Sequence, residues 1–217
     1  MKLKAIGLFV VLFCFTQQSH ALVYLNAYGG IGFGDLKEMD ETTGGTTLTH
    51  DGWTGHIGVG ARAGISIGPL KAGVVGEFSK VQWEGEREDG AIANAFDGAE
   101  DYDNVLDRTL YGGFFIFSPP VIPVSIIAEY YPSASGSFSY AEGKGENPFA
   151  QDDEISGNGY GLGISVGAFP AQSSIIVRNF MFDTFTLNGV ETELPGGNYT
   201  KQKAWEIMFQ AGIAIDL

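Results

Sequence analysis

One cysteine, Cys14, stands in the whole chain of 217 residues. That excludes a disulfide framework and any zinc site built on paired cysteines. Basic residues are scarce too, with 12 Lys and Arg against 26 Asp and Glu and a formal charge of -14 at pH 7. A chain so poor in cations lacks the basic patch that a phosphate backbone requires, which excludes nucleic acid as a partner and favours cations or basic surfaces instead. Long hydrophobic runs are missing as well. The apolar stretch over residues 5–15 falls short of the ~20 residues that a membrane-spanning helix needs, and no longer one follows it. Yet 44% of the residues are hydrophobic and 13% aromatic, too many for a disordered chain. The 32 glycines, roughly twice the usual share of about 7%, follow no collagen repeat.

What is present begins with an address. Lys2 and Lys4 precede the short apolar run, and Ser19-His20-Ala21 supplies the small residues of a cleavage site, the layout of a secretory signal. Residues 1–21 are therefore expected to be removed, leaving a single mature domain over 22–217. Cys14 follows Phe13, where lipid attachment would want a small residue, so it is not read as a lipoprotein cysteine.

The remainder alternates with period two. Val23, Leu25, Ala27, Ile31 and Phe33 interleave with Tyr24, Asn26, Tyr28, Gly30, Gly32 and Gly34, a pattern that a helix would mix and a strand separates onto two faces. The stretches 53–67 and 205–217 repeat the design, and weaker copies cover 71–82, 109–117, 124–131, 159–168 and 174–185. Eight strands result, most of about 9 to 12 residues, the length of a tilted strand crossing a bilayer. Short connections at 68–70, 118–123 and 170–173 alternate with long acidic ones at 35–52, 83–108, 132–158 and 186–204. Such alternation predicts an all-β, eight-stranded antiparallel up-and-down barrel in an outer membrane, with short turns in the periplasm and long loops outside. The apolar row then faces lipid, while the polar or glycine row faces a narrow lumen. Closure satisfies the backbone without water. A nucleotide-binding reading of Gly58, Gly60 and Gly64, or of Gly161, Gly163 and Gly167, fails because no helix follows.

The last residues, Gln210, Gly212, Ile215 and Leu217, match the spacing of the C-terminal signal by which bacterial outer-membrane barrels are recognised for assembly, although that family usually ends in an aromatic residue. With the signal peptide and the eight strands, the chain resembles the small eight-stranded outer-membrane β-barrel superfamily, which includes the outer membrane protein A transmembrane domain and the OmpX-like and OmpW-like proteins. The resemblance implies outer-membrane lipid, lipopolysaccharide and the barrel assembly machinery as partners, and it leaves activity open.

Strand phase sends Arg62, Glu77, Glu129, Arg178 and Glu206 into the lumen, two cations with three anions. Buried charges persist only when paired, so they are read as a structural network that plugs the barrel; the sharper alternative is a gate in which an arginine exchanges carboxylates. Arg178 and Asn179 cannot both point inward without a bulge. His56 points inward near the outer end and His50 falls in the first long loop; no outward serine accompanies either, so no catalytic group is assigned and a non-enzyme is expected. Asp97, Glu100, Asp101, Asp103 and Asp107 form an acidic run in the second loop, dense in the hard oxygen ligands that Ca2+ or Mg2+ prefers, without the EF-hand pattern. Trp53 and Trp205 begin descending strands on the lipid-facing phase, as an outer aromatic girdle requires, whereas Trp83 has the opposite phase. The expected function is an envelope structural or surface-interaction role through long acidic extracellular loops; a narrow conduit and a lipid-modifying enzyme are the alternatives.

Overall fold

A computed structural model describes residues 22–43, 46–89, 100–120, 122–143, 151–167, 170–187, 189–193 and 202–217; the expected signal lies outside them. The described residues form nine strands: β1 (Leu22–Thr43), β2 (Thr46–Ile67), β3 (Leu70–Asp89), β4 (Glu100–Phe117), β5 (Val124–Gly143), β6 (Glu154–Val166), β7 (Ala171–Leu187), β8 (Val190–Glu193) and β9 (Gln202–Asp216). Each of β1 to β7 pairs antiparallel with its successor, and β9 pairs with both β7 and β1. Eight strands thus close a barrel, and β8 is a short flap that extends β7 alone. Closure leaves no edge along the wall, the condition for a sheet to cross a bilayer. At the short-turn end the seam is tied by reciprocal 2.8 Å backbone bonds between Val23 and Leu217.

The outer face carries the expected apolar row. Ile31, Ile57, Val59, Ile65, Val74, Leu162 and Ile213 are all exposed, as lipid-facing side chains of an isolated barrel must be. Glycines on the inner face make room for large neighbours. A Cβ on Gly60 would overlap the Tyr28 ring, and one on Gly32 would overlap the His56 imidazole.

Two expectations need correction. Residues 35–43 and 46–52 are strand, not loop, and so are 83–89, 100–108, 132–143, 154–158, 186–187 and 202–204. Beyond the bilayer the outer face of a strand meets water, so backbone pairing continues after the apolar row that betrays it has stopped. Irregular register marks several of these continuations. The β5–β6 register shifts between Tyr131 and Ala134, a bulge that admits Pro132 and moves the inward set from Ile127, Glu129 and Tyr131 to Ala134 and Phe138.

The second correction concerns the lumen. Polar and glycine residues do line it from β1, β2 and β9, but β4 to β7 send in Leu106, Leu110, Phe114, Ile116, Ile127, Phe138, Ile155, Ile176, Phe180, Phe182 and Phe185, which join one buried cluster. An eight-stranded interior is narrow enough for side chains to fill it, and half of this one is filled as a soluble core would be.

Candidate functional site

Midway along the lumen, six ionised side chains from six strands meet: Arg62, Glu77, Arg108, Glu129, Arg178 and Glu206, all almost completely buried. Arg178 is the hub. Its Nη1 and Nη2 donate to the two oxygens of Glu77 at 2.9 and 2.8 Å, the two-pronged geometry that suits guanidinium and carboxylate. The same nitrogens lie 3.3 Å from Glu129 and 3.4 Å from Glu206. Arg62 donates from Nε to Glu129 at 2.9 Å and from Nη1 and Nη2 to Asn26 and Gln210 at 3.0 and 2.8 Å. Arg108 grips Glu206 through both terminal nitrogens at 2.9 and 3.2 Å and donates its Nε to Ser79 at 3.1 Å.

Tyrosines complete the carboxylates' shells. Tyr28 donates to Glu77 at 3.1 Å and Tyr131 to Glu129 at 2.5 Å. The arginines also lie over rings: Arg62 over Tyr28 at 4.3 Å, Arg108 over Phe180 at 4.7 Å and Arg178 over Tyr131 at 5.4 Å. Such contacts favour a desolvated guanidinium.

The structure brings the five lumen charges named from sequence into one cluster and adds Arg108, which sequence reasoning left in a loop. Three cations therefore face three anions, and the surplus carboxylate that motivated the exchange of partners does not exist. Arg108 shares the phase of Leu110 and Phe114 and lies one residue before the point where the strand was judged to begin, so extending the alternation would have found it. Arg178 points inward and Asn179 outward without a bulge, since Asn179 pairs in regular register with Tyr160 and Trp205.

Other sites settle differently. His56 is buried in the lumen with Nε2 2.9 Å from Met208 Sδ and Nδ1 3.5 Å from Glu206. His50 lies in β2, not in a loop. Of the acidic run, Asp97 lies outside the described residues, while Glu100, Asp101, Asp103 and Asp107 belong to the strand β4 and not to a loop. Asp107 faces outward, 3.5 Å from Lys80. No group of three metal-ligating side chains occurs among the described residues. In the C-terminal motif, Gln210 is buried and accepts bonds from Arg62 and Ser174, Gly212 packs against Tyr28, and Ile215 and Leu217 are exposed.

Trp53 pairs with Asp35 and Glu84 in the sheet, and Trp205 donates its indole N–H to Asp35 at 3.3 Å. Three tyrosines join the belt that sequence analysis assigned to tryptophan alone. Tyr111, Tyr130 and Tyr160 stand outward and exposed at the upper end of the apolar run on β4, β5 and β6. Directly beyond them the outer face turns hydrophilic. Thr109, Ser135, Ser156 and Thr184 pair side by side across four strands, as do Asp107, Ser137, Glu154 and Thr186, and together they line a shallow cleft of about 240 Å³.

A scan against family models and a search of curated proteins find no match. Solved structures do resemble the chain. The outer membrane protein OprG from Pseudomonas aeruginosa shares its fold with a TM-score of 0.55 at 14% identity, over 92% of this chain and 99% of that one. The attachment invasion locus protein Ail of Yersinia pestis, solved with the heparin analogue sucrose octasulfate, overlaps with a TM-score of 0.36 at 13% identity, over 87% of this chain and 99% of Ail. The outer membrane protease OmpT from Escherichia coli overlaps with a TM-score of 0.45 at 8% identity, over 93% and 100%. The chain has the closed fold of small outer-membrane barrels, with an apolar outer belt suited to that membrane.

Proposed function

We propose that this barrel is a non-conducting, non-enzymatic envelope protein that works from its outer surface. The observation that carries the reading is the lumen: a charge cluster of three arginines and three glutamates, each matched, lies between apolar side chains on either side. Tyr24, Phe114, Ile116 and Ile127 are buried towards the short-turn end, and Val81, Leu106, Phe138, Ile155 and Phe182 towards the other. Water and ions would have to displace packed side chains and break charge-assisted hydrogen bonds to pass. Polar display, by contrast, is concentrated outside, where β4 to β7 continue beyond their tyrosines into the Ser, Thr and acidic rows.

Single-channel recording on the membrane-purified protein in a planar bilayer tests this. Wild type is expected to stay silent. Discrete wild-type openings altered by Arg62→Ala would overturn the reading in favour of a narrow conduit.

A further inference from the structure

The outer belt breaks at β7. On β4, β5, β6 and β9 the apolar run ends in an aromatic side chain, but on β7 the row Ile175, Val177 continues into Asn179, set between Tyr160 on β6 and Trp205 on β9. A small side chain between two large ones leaves a groove of about 420 Å³, lined by Asn158, Tyr160, Asn179, Met181, Lys203 and Trp205 together with Phe180 and Ala204 in the wall behind. Its chemistry changes along the strands. At the upper end Lys203 is exposed and the register sets Asn158 and Lys203 on either side of Met181, whereas below the groove the outward neighbours Leu162, Val177 and Ile207 form an apolar track.

We infer that this groove binds the phosphorylated headgroup of an outer-leaflet lipid. Lys203 supplies a cation to the phosphate in a chain that has few cations to place, Asn158 and Asn179 offer amides that donate and accept, and Tyr160 and Trp205 form the side walls. The indole N–H of Trp205 is already donated to Asp35, which fixes that wall in place. An acyl chain leaving the headgroup would descend over Val177, Leu162 and Ile207. A polar groove at this depth favours a headgroup over a protein partner, because aromatic belts sit at the level of the headgroups themselves. The inference rests on the membrane placement of the barrel and is independent of whether the lumen conducts.

The test uses the membrane-purified full protein in detergent, titrated with bisphosphorylated lipid A or with its dephosphorylated form and read by native mass spectrometry. Wild type is expected to retain the phosphorylated lipid preferentially. Lys203→Ala should weaken retention roughly tenfold, the loss of one charge-assisted hydrogen bond. Asn179→Tyr, which continues the belt and fills the groove, should weaken it at least as much. Thermal unfolding of both variants in lipid-free detergent should match wild type. Equal retention of the two lipids by wild type, or retention unchanged in both variants, would overturn the site.

Discussion

Arg178 shows what a single side chain is asked to do in this lumen. It touches all three glutamates and is itself fully buried. Removing one partner from a buried ion pair costs about 3–5 kcal/mol, because the charge left behind is neither solvated nor matched. Arg178→Leu is therefore expected to lower stability by about that amount in urea unfolding of the detergent-solubilised barrel. Pairing it with Glu77→Gln should recover part of the loss, since the double change removes the carboxylate most closely bound to the missing guanidinium. A double variant whose cost equals the sum of the two single ones would show that Glu77 and Arg178 do not act as a unit. His56 belongs to the same scale: its ring fits only because Gly32 has no side chain, so Gly32→Val should destabilise the barrel through a clash alone, measurable in the same unfolding experiment.

At the scale of the strand, what matters is which solvent each face meets. Ala61 lies midway along the outward apolar run of β2, between Val59 and Ala63, while Thr109 on β4 lies just beyond Tyr111. An arginine on the lipid face costs about 2–4 kcal/mol at the bilayer midplane and about 0–1 near the interface. Ala61→Arg should then lose about 2–4 kcal/mol when folded into lipid vesicles, and Thr109→Arg at most about 1; comparable losses at the two positions would mean that the membrane level has been drawn wrongly. The same physics decides what was legible beforehand. β1, β2 and β9 were plain from sequence in both phase and face, because lipid on one side and a crowded polar lumen on the other enforce strict alternation. Arg62 and Glu206 could be placed inward for that reason. The strand continuations beyond the membrane were not legible, since the outer face there turns polar and the apolar row that marks a lipid-facing strand stops, and Arg108 was lost with them. The bulge at Pro132 hid the end of β5 in a different way, by reversing the parity on which the reading depends. Asn179 was visible only as a difficulty of phase; that it interrupts an aromatic belt required knowing that Tyr160 and Trp205 are its neighbours.

On the scale of the whole barrel, the closed wall and the filled lumen together divide the molecule into a lipid-facing belt, a packed centre and a polar outer end. Dryness at the centre is directly measurable. Ser79 is fully buried and accepts a hydrogen bond from the Arg108 Nε, so Ser79→Cys is a small change that places a thiol inside the charge cluster. Residues 22–217 contain no other cysteine. A membrane-impermeant cationic thiol reagent applied to proteoliposomes should leave this cysteine unmodified, while Thr186→Cys, on the polar outer face, should react rapidly. Adding Arg178→Ala to Ser79→Cys removes the hub and opens space beside the thiol, so labelling should then rise well above the parent's. Rapid labelling of Ser79→Cys in the otherwise intact barrel would mean that water reaches the cluster from one mouth or the other. In that case the charges would line a hydrated path rather than close it, and the polar cavity at the short-turn end, lined by Lys71, Ser125, Gln172 and Asp216, would become its entrance.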